Sequence, residues 1–205
     1  MPSNQDHWDH VYATKRLEDV SWYQPIPRQS LEYIDACGLD RHATIIDIGG
    51  GDSFLVDHLL IKSYDNITVL DISENAIQRA KDRLAEKQDK VQWLITNILD
   101  FTSPTKYQIW HDRAAFHFLT DEDDISAYVD IATKAIVPNG YLIIATFSTN
   151  GPKKCSGLDI CQYDSAKMKT LWAKDFLFEG CSESEHPTPS GGLQNFIFCK
   201  FRKKS

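Results

Sequence analysis

An apolar strand that runs straight into three consecutive glycines constrains this chain more than any other feature: Thr44-Ile45-Ile46-Asp47-Ile48 leads into Gly49-Gly50-Gly51-Asp52-Ser53. Glycines placed there let the backbone turn sharply and approach a ligand at the N-terminus of the following helix, because no Cβ stands in the way. Around this turn, apolar runs alternate with amphipathic stretches, the pattern of a parallel sheet covered by helices. Strands are expected at Ile67–Leu70 (ending in Asp71), Val91–Ile95, Tyr107–His111 and Tyr141–Thr146, the last entered through Pro138-Asn139-Gly140. Helices are expected over Arg28–Cys37, Ser53–Leu60, Glu74–Lys87 with Ser73 as N-cap, Thr120 or Asp121 to Ile136, and Ser165–Ala173. The aromatic-rich stretch His7–Pro27 reads as irregular. Two last strands, near Leu177–Cys181 and Gln194–Phe201, form an antiparallel pair through the turn Pro187–Gly192. The fold class is therefore α/β: a doubly wound sheet with an antiparallel edge.

A chain of 205 residues suits one domain, 1–205, with 1–27 as a leading segment and 28–205 as the α/β core. No apolar run approaches the ~20 residues of a membrane span. The stretch Met1–His7 has neither the basic nor the apolar part of a signal peptide, so a cytoplasmic location and no membrane partner are expected. A formal net charge of −7 argues against nucleic acid, which needs a basic face. The five cysteines, Cys37, Cys155, Cys161, Cys181 and Cys199, are scattered and never spaced Cys-x-x-Cys, which predicts free, buried thiols and no metal site.

Charge narrows the ligand. Asp71 closes the second strand about 20 residues beyond Gly51, where a carboxylate takes the ribose hydroxyls of an adenosine ligand. Asp47 lies two residues ahead of Gly49, where it would repel a pyrophosphate and attract an ammonium. The dinucleotide fingerprint also wants a third glycine at position 54, which holds Phe54. An adenosine ligand with a cationic amino-acid tail and no phosphate fits these residues better than a nicotinamide dinucleotide does.

The ordered residues Asp47-x-Gly49-x-Gly51, Asp71, Asn97 and Pro138-Asn139-Gly140 resemble the motifs of class I S-adenosylmethionine-dependent methyltransferases, over roughly Trp8 to Phe201. The resemblance implies a Rossmann-like seven-stranded sheet in the order 3-2-1-4-5-7-6 with the last strand antiparallel. It also implies S-adenosyl-L-methionine as cofactor, with Gly49 and Gly51 along the methionine part, Asp71 on the ribose, and Asn97, Ile98 and Ile72 around the adenine. Trp22 and His111 complete the cofactor set. Ser53 stands where the family usually has glycine, and Asn97 where Asp is common; an amide oxygen still accepts from the adenine amino group.

The segment Trp110-His111-Asp112-Arg113-Ala114 lies at the fourth strand end, where chemistry sits in doubly wound folds. It resembles the Asp-Arg-Gly-Ala segment of thiopurine methyltransferases and the Asp-Lys-Gly-Thr segment of protein-lysine methyltransferases, without their glycine. Trp8, Tyr12 and Ser21-Trp22-Tyr23-Gln24 resemble the N-terminal lid of the same relatives. His111, Asp112 and His117 are the acid–base candidates, and Asp112 is expected either to pair with Arg113 or to cap the following turn. The expected function is methyl transfer to an unidentified acceptor, a small molecule being slightly favoured over a protein side chain, by a monomer or weak dimer. The rivals are a protein-lysine methyltransferase, an NAD-dependent oxidoreductase and an inactive cofactor-binding protein.

Overall fold

The computed structural model describes residues 4–102 and 105–205; the first three residues of the expected leading segment lie outside it. Seven strands form one sheet: β1 (Ile45–Ile48), β2 (Ile67–Asp71), β3 (Val91–Ile95), β4 (Tyr107–Arg113), β5 (Ile136–Phe147), β8 (Phe176–Pro187) and β9 (Leu193–Lys203), in the order β3-β2-β1-β4-β5-β9-β8. The intervening β6 (Lys154–Cys155) and β7 (Leu158–Asp159) make a separate two-stranded ribbon. With that ribbon set aside, the order is the expected 3-2-1-4-5-7-6, and β9 runs antiparallel to both its neighbours. All four residues of β1 are buried, which is why the central strand reads as an apolar run, interrupted only by Asp47, rather than an alternation.

Helices cover both faces. On one side α2 (Arg28–Asp35), α3 (Leu55–Ile61) and α4 (Glu74–Leu84) pack Leu31, Ile34, Leu55, Leu59 and Ile77 against Ile45, Ile67, Val69 and Ile109. On the other, α5 (Glu122–Ala135) and α6 (Ser165–Trp172) pack Tyr128, Met168 and Trp172 against Ile46, Trp110, Ile144 and Phe201. The caps come from the sequence: the Ser73 hydroxyl accepts from Ala76 N, and the Asp121 and Asp164 carboxylates accept from Asp123 N and Lys167 N. Among the described residues no helix is long and apolar enough to cross a membrane.

Four expectations are corrected. The stretch taken as irregular opens with a helix, α1 (Asn4–Thr14), which docks on α4 instead of on the sheet. Its weak amphipathic pattern hid it. Strand β5 begins at Ile136 rather than Tyr141, because Pro138-Asn139-Gly140 is accommodated inside the strand as an irregularity with Asn139 at φ 63°. Strands β8 and β9 run well beyond the short pair expected. Finally, Cys181 and Cys199 are directly paired across these strands and joined as a disulfide, leaving Cys37, Cys155 and Cys161 as free thiols. An odd count of scattered cysteines gave no hint of this, because the pairing depends on strand register.

Candidate functional site

The C-terminal ends of β1, β2 and β4 open into a cavity of about 170 Å³. Its floor is the glycine turn. A Cβ on Gly49 would lie 2.7 Å from the Ala115 Cβ, one on Gly50 would lie 2.5 Å from Asp47 Oδ2, and one on Gly51 would lie 2.5 Å from Asp71 Oδ2. Gly49 and Gly51 also take φ of 63° and 28°. All three glycines are thus required by the closeness of two carboxylates and a neighbouring loop. Phe54 closes the turn as N-cap of α3, with Arg83 stacked 4.4 Å from its ring centroid. Arg79 and Arg83 of α4 hold the buried Asp52, and Arg83 also pairs with Asp57, tying the turn to the helix beyond it.

Parallel pairing of β1 and β4 sets Asp47 opposite His111. His111 Nδ1 lies 2.7 Å from Asp47 Oδ1, and its Nε2 lies 2.9 Å from Ser30 Oγ on α2. Exposures of 3%, 2% and 1% for Asp47, His111 and Ser30 keep water from competing for these bonds. A carboxylate only accepts, so Nδ1 carries a proton toward Asp47, while Nε2 and the Ser30 hydroxyl share the second hydrogen bond. The second oxygen of Asp47, Oδ2, lies over Gly50.

Asp71 is buried at the end of β2, where it accepts from Ser73 N at 2.9 Å. Burial, with lesser contributions from Asp47 and Asp9, pushes its carboxyl up to about 7. Helix α1 lies across this end of the cavity. Ser73 Oγ donates to Asp9 Oδ1 at 2.6 Å, Asn75 Nδ2 donates to Asp9 O, and Arg79 donates to the carbonyls of Tyr12 and Lys15. Trp8, Tyr12, Trp22 and Phe118 close over the opening in edge-on and tilted contacts with centroids 5.0–6.2 Å apart.

Of the expected cofactor residues, Trp22, Asp47, Gly49, Asp71, Ile72, Asn97, Ile98 and His111 line this one cavity. Gly51 sits behind the lining and makes room for Asp71. Asn97 Oδ1 accepts locally from Leu99 N at 3.1 Å, which fixes its side chain. The acid–base candidates separate. His111 lines the cavity, whereas Asp112 and His117 are fully buried and outside the lining. Asp112 caps the following turn through Ala115 N and Phe116 N and accepts from Tyr128 Oη at 2.6 Å. It does not pair with Arg113, because successive strand residues point to opposite faces. His117 Nδ1 accepts from Phe147 N, and burial depresses its ring to about 3.

Three contributors escaped the sequence reading. Ser30 and Asp9 reach the site through helix packing, for which no local signal exists. Arg113 shares the face of His111 by strand alternation, a signal that was present in the sequence.

The arrangement fits S-adenosylmethionine by its own chemistry. One buried carboxylate at the end of β2 can receive two hydroxyls, a second carboxylate beside the glycine turn can face a cation, and no cationic cradle for a diphosphate lies over that turn among the described residues. Residues 39–186 match a family model described as "Methyltransferase domain". The chain is 24% identical over 126 residues to the eEF1A lysine and N-terminal methyltransferase of Bos taurus, covering 58% of this chain and 17% of that protein. It spans about a sixth of that relative's length. Among solved structures, it is similar to one described under "Conversion of a Disulfide Bond into a Thioacetal Group during Echinomycin Biosynthesis", with a TM-score of 0.80, 19% identity, and coverage of 98% and 93% of the two chains. It is also similar to the N-methyltransferase NodS of Bradyrhizobium japonicum in complex with S-adenosyl-L-homocysteine, with a TM-score of 0.71, 14% identity, and coverage of 99% and 100%.

Proposed function

The chain belongs to the methyltransferase-domain family, and from that premise we propose that it moves a methyl group from S-adenosylmethionine to a small acceptor enclosed beneath the aromatic cover. The observation that carries the reading is the pair of buried carboxylates, Asp47 and Asp71, on either side of a turn that only glycine can make.

When bound, the cofactor supplies an electrophilic methyl group on a sulfonium. The protein's task is then placement and exclusion of water, since in-line displacement needs an aligned lone pair more than a side-chain nucleophile. Asp71 would accept from the ribose hydroxyls. Asp47 Oδ2 would face the ammonium while Oδ1 stays with His111. Asn97, Ile98 and Ile72 would enclose the adenine. Trp8, Tyr12, Trp22 and Phe118 would form the lid. His111 is the acid–base candidate with access to the cavity, able to take a proton at Nε2 in exchange for its Ser30 partner.

A small acceptor is favoured over a lysine side chain because Arg113 lines the same cavity. A buried guanidinium repels an approaching ammonium. A crystal structure with S-adenosylhomocysteine tests the proposal. It should show the ribose on Asp71 and the sulfur facing a space bounded by Trp22, Phe118 and Arg113. A ligand displaced from Asp71, or a sulfur facing the protein core, would overturn it.

A further inference from the structure

The segment Ser21–Pro27 walls the cavity with Trp22, Tyr23, Gln24 and Pro27, yet it belongs to no helix or strand. Side chains reaching in from three other elements hold it instead. His58 of α3 lies 3.0 Å from the Pro25 carbonyl, and Arg113 of β4 donates weakly to the Trp22 carbonyl at 3.4 Å. His186, near the end of β8, meets the segment twice. Its Nε2 is 2.8 Å from the Ser21 carbonyl and its Nδ1 is 3.3 Å from the Gln24 side-chain nitrogen. The two contacts bracket Trp22.

These partners fix the state of the ring. A carbonyl only accepts, so Nε2 carries a proton; an amide nitrogen donates, so Nδ1 is the bare acceptor. Both bonds together require a neutral imidazole. The surroundings favour that form: His186 is 4% exposed, and burial first, then the positive charge of Arg113, lowers its affinity for a proton. Phe196 of β9 stands edge-on to the ring and beneath the Arg113 guanidinium. Glu185, the adjacent carboxylate, is exposed on the opposite face of the strand. A protonated His186 would lose the Gln24 bond and set a second cation against Arg113. His58 differs, because it can donate to its carbonyl in either state.

We propose that His186 is a positioning residue for methyl transfer: its neutral imidazole bridges Ser21 and Gln24, holding Trp22 as a closed wall of the cavity at neutral pH and releasing it in acid. This rests on the methyltransferase reading, in which that wall keeps water from the reacting sulfonium.

Two measurements on the full chain test it. The first is the solvent exposure of Trp22 at pH 7.5 and 5.5 without ligand, read from the fluorine resonance of 5-fluorotryptophan at that position. The second is the dissociation rate of S-adenosylhomocysteine at pH 7.5. Wild-type Trp22 should be shielded at pH 7.5 and more exposed at pH 5.5. His186→Ala should expose it at both pH values and speed dissociation about tenfold, the scale of one or two lost hydrogen bonds. His186→Gln keeps an amide donor for Ser21 and takes up no proton, so it should restore shielding and slow dissociation while removing the pH response. Should His186→Ala fail to fold, Gln24→Ala serves instead, and should expose Trp22 at pH 7.5 and flatten the pH response. Equal shielding or equal dissociation in wild type and these alanine variants overturns the proposal. So does a His186→Gln variant that behaves as His186→Ala or keeps the wild-type pH response. Absence of S-adenosylhomocysteine binding by the wild type counts instead against the methyltransferase reading, while the fluorine measurement still decides the role of His186.

Discussion

His111 and Asp47 meet across adjacent parallel strands with Nδ1 and Oδ1 2.7 Å apart, and Ser30 holds the far side of the imidazole at 2.9 Å. The three side chains form a chain in which the helix orients the ring and the ring orients the carboxylate. His111→Ala should therefore weaken S-adenosylhomocysteine binding by about tenfold, roughly the worth of one hydrogen bond to a charged group. Ser30→Ala should cost less. Because Ser30 acts through His111, the double variant should match His111→Ala alone in a double-mutant cycle by calorimetry. Losses that add would show that the two residues act separately.

In the proposed ribose role, the buried carboxyl of Asp71 should give cofactor binding a pH dependence whose sign follows from its raised pKa. Burial raises it from 3.8 to about 7, and only the ionised form accepts from two hydroxyls. Affinity for S-adenosylhomocysteine should be full above pH 7 and fall as pH drops through 7, by up to about tenfold per unit. The ligand-free chain should show the opposite trend. The folded state binds this proton more tightly than the unfolded state, so its contribution to stability is full below about 3.8 and lost as pH rises through 7. Asp71→Asn should accordingly stabilise the ligand-free chain at pH 8, on the order of 2 kcal/mol, while weakening cofactor binding. Denaturant melts at pH 5 and 8 check both signs.

On the opposite face of β4, Tyr128 connects two buried groups: it accepts from Trp110 Nε1 at 3.0 Å and donates to Asp112 at 2.6 Å. Tyr128→Phe leaves one donor and one carboxylate short of a partner without opening a cavity. A loss of about 2–3 kcal/mol in urea unfolding is expected. A change within experimental error would show that Asp112 does not depend on this hydroxyl.

Helix α1 is fastened to α4 by the Asp9 carboxylate and by Arg79. Asp9→Ala should raise amide exchange across residues 4–14 several-fold while leaving β1, β2 and β4 protected, because the clasp joins α1 to α4 and its N-cap and bonds to no strand. Exchange that rises equally in the sheet would mean that α1 is part of the cooperative fold and not a separable cover.

Much of this was legible in the sequence because it depends on local rules. The triple glycine, the apolar run of β1, the Ser73 cap and Asp71 at a strand end each declare themselves within a few residues. What was not legible depends on partners far along the chain. Asp112 and His117 carry reactive groups next to His111, yet burial assigns the first to a cap and leaves the second against Phe147. Ser30 reaches His111 across 81 residues, and Cys181 finds Cys199 through the register of β8 and β9. Helix α1 gains its stability from α4, so its own sequence pattern stays weak.

We propose that Asp47 faces a cationic amino-acid tail and excludes a diphosphate. Calorimetric titration of wild type and Asp47→Asn with S-adenosylhomocysteine and with NAD measures this directly. The wild type should bind S-adenosylhomocysteine and not NAD, and Asp47→Asn should weaken S-adenosylhomocysteine binding by about 1.5–3 kcal/mol. Tight NAD binding by the wild type, or unchanged S-adenosylhomocysteine affinity in Asp47→Asn, would contradict it.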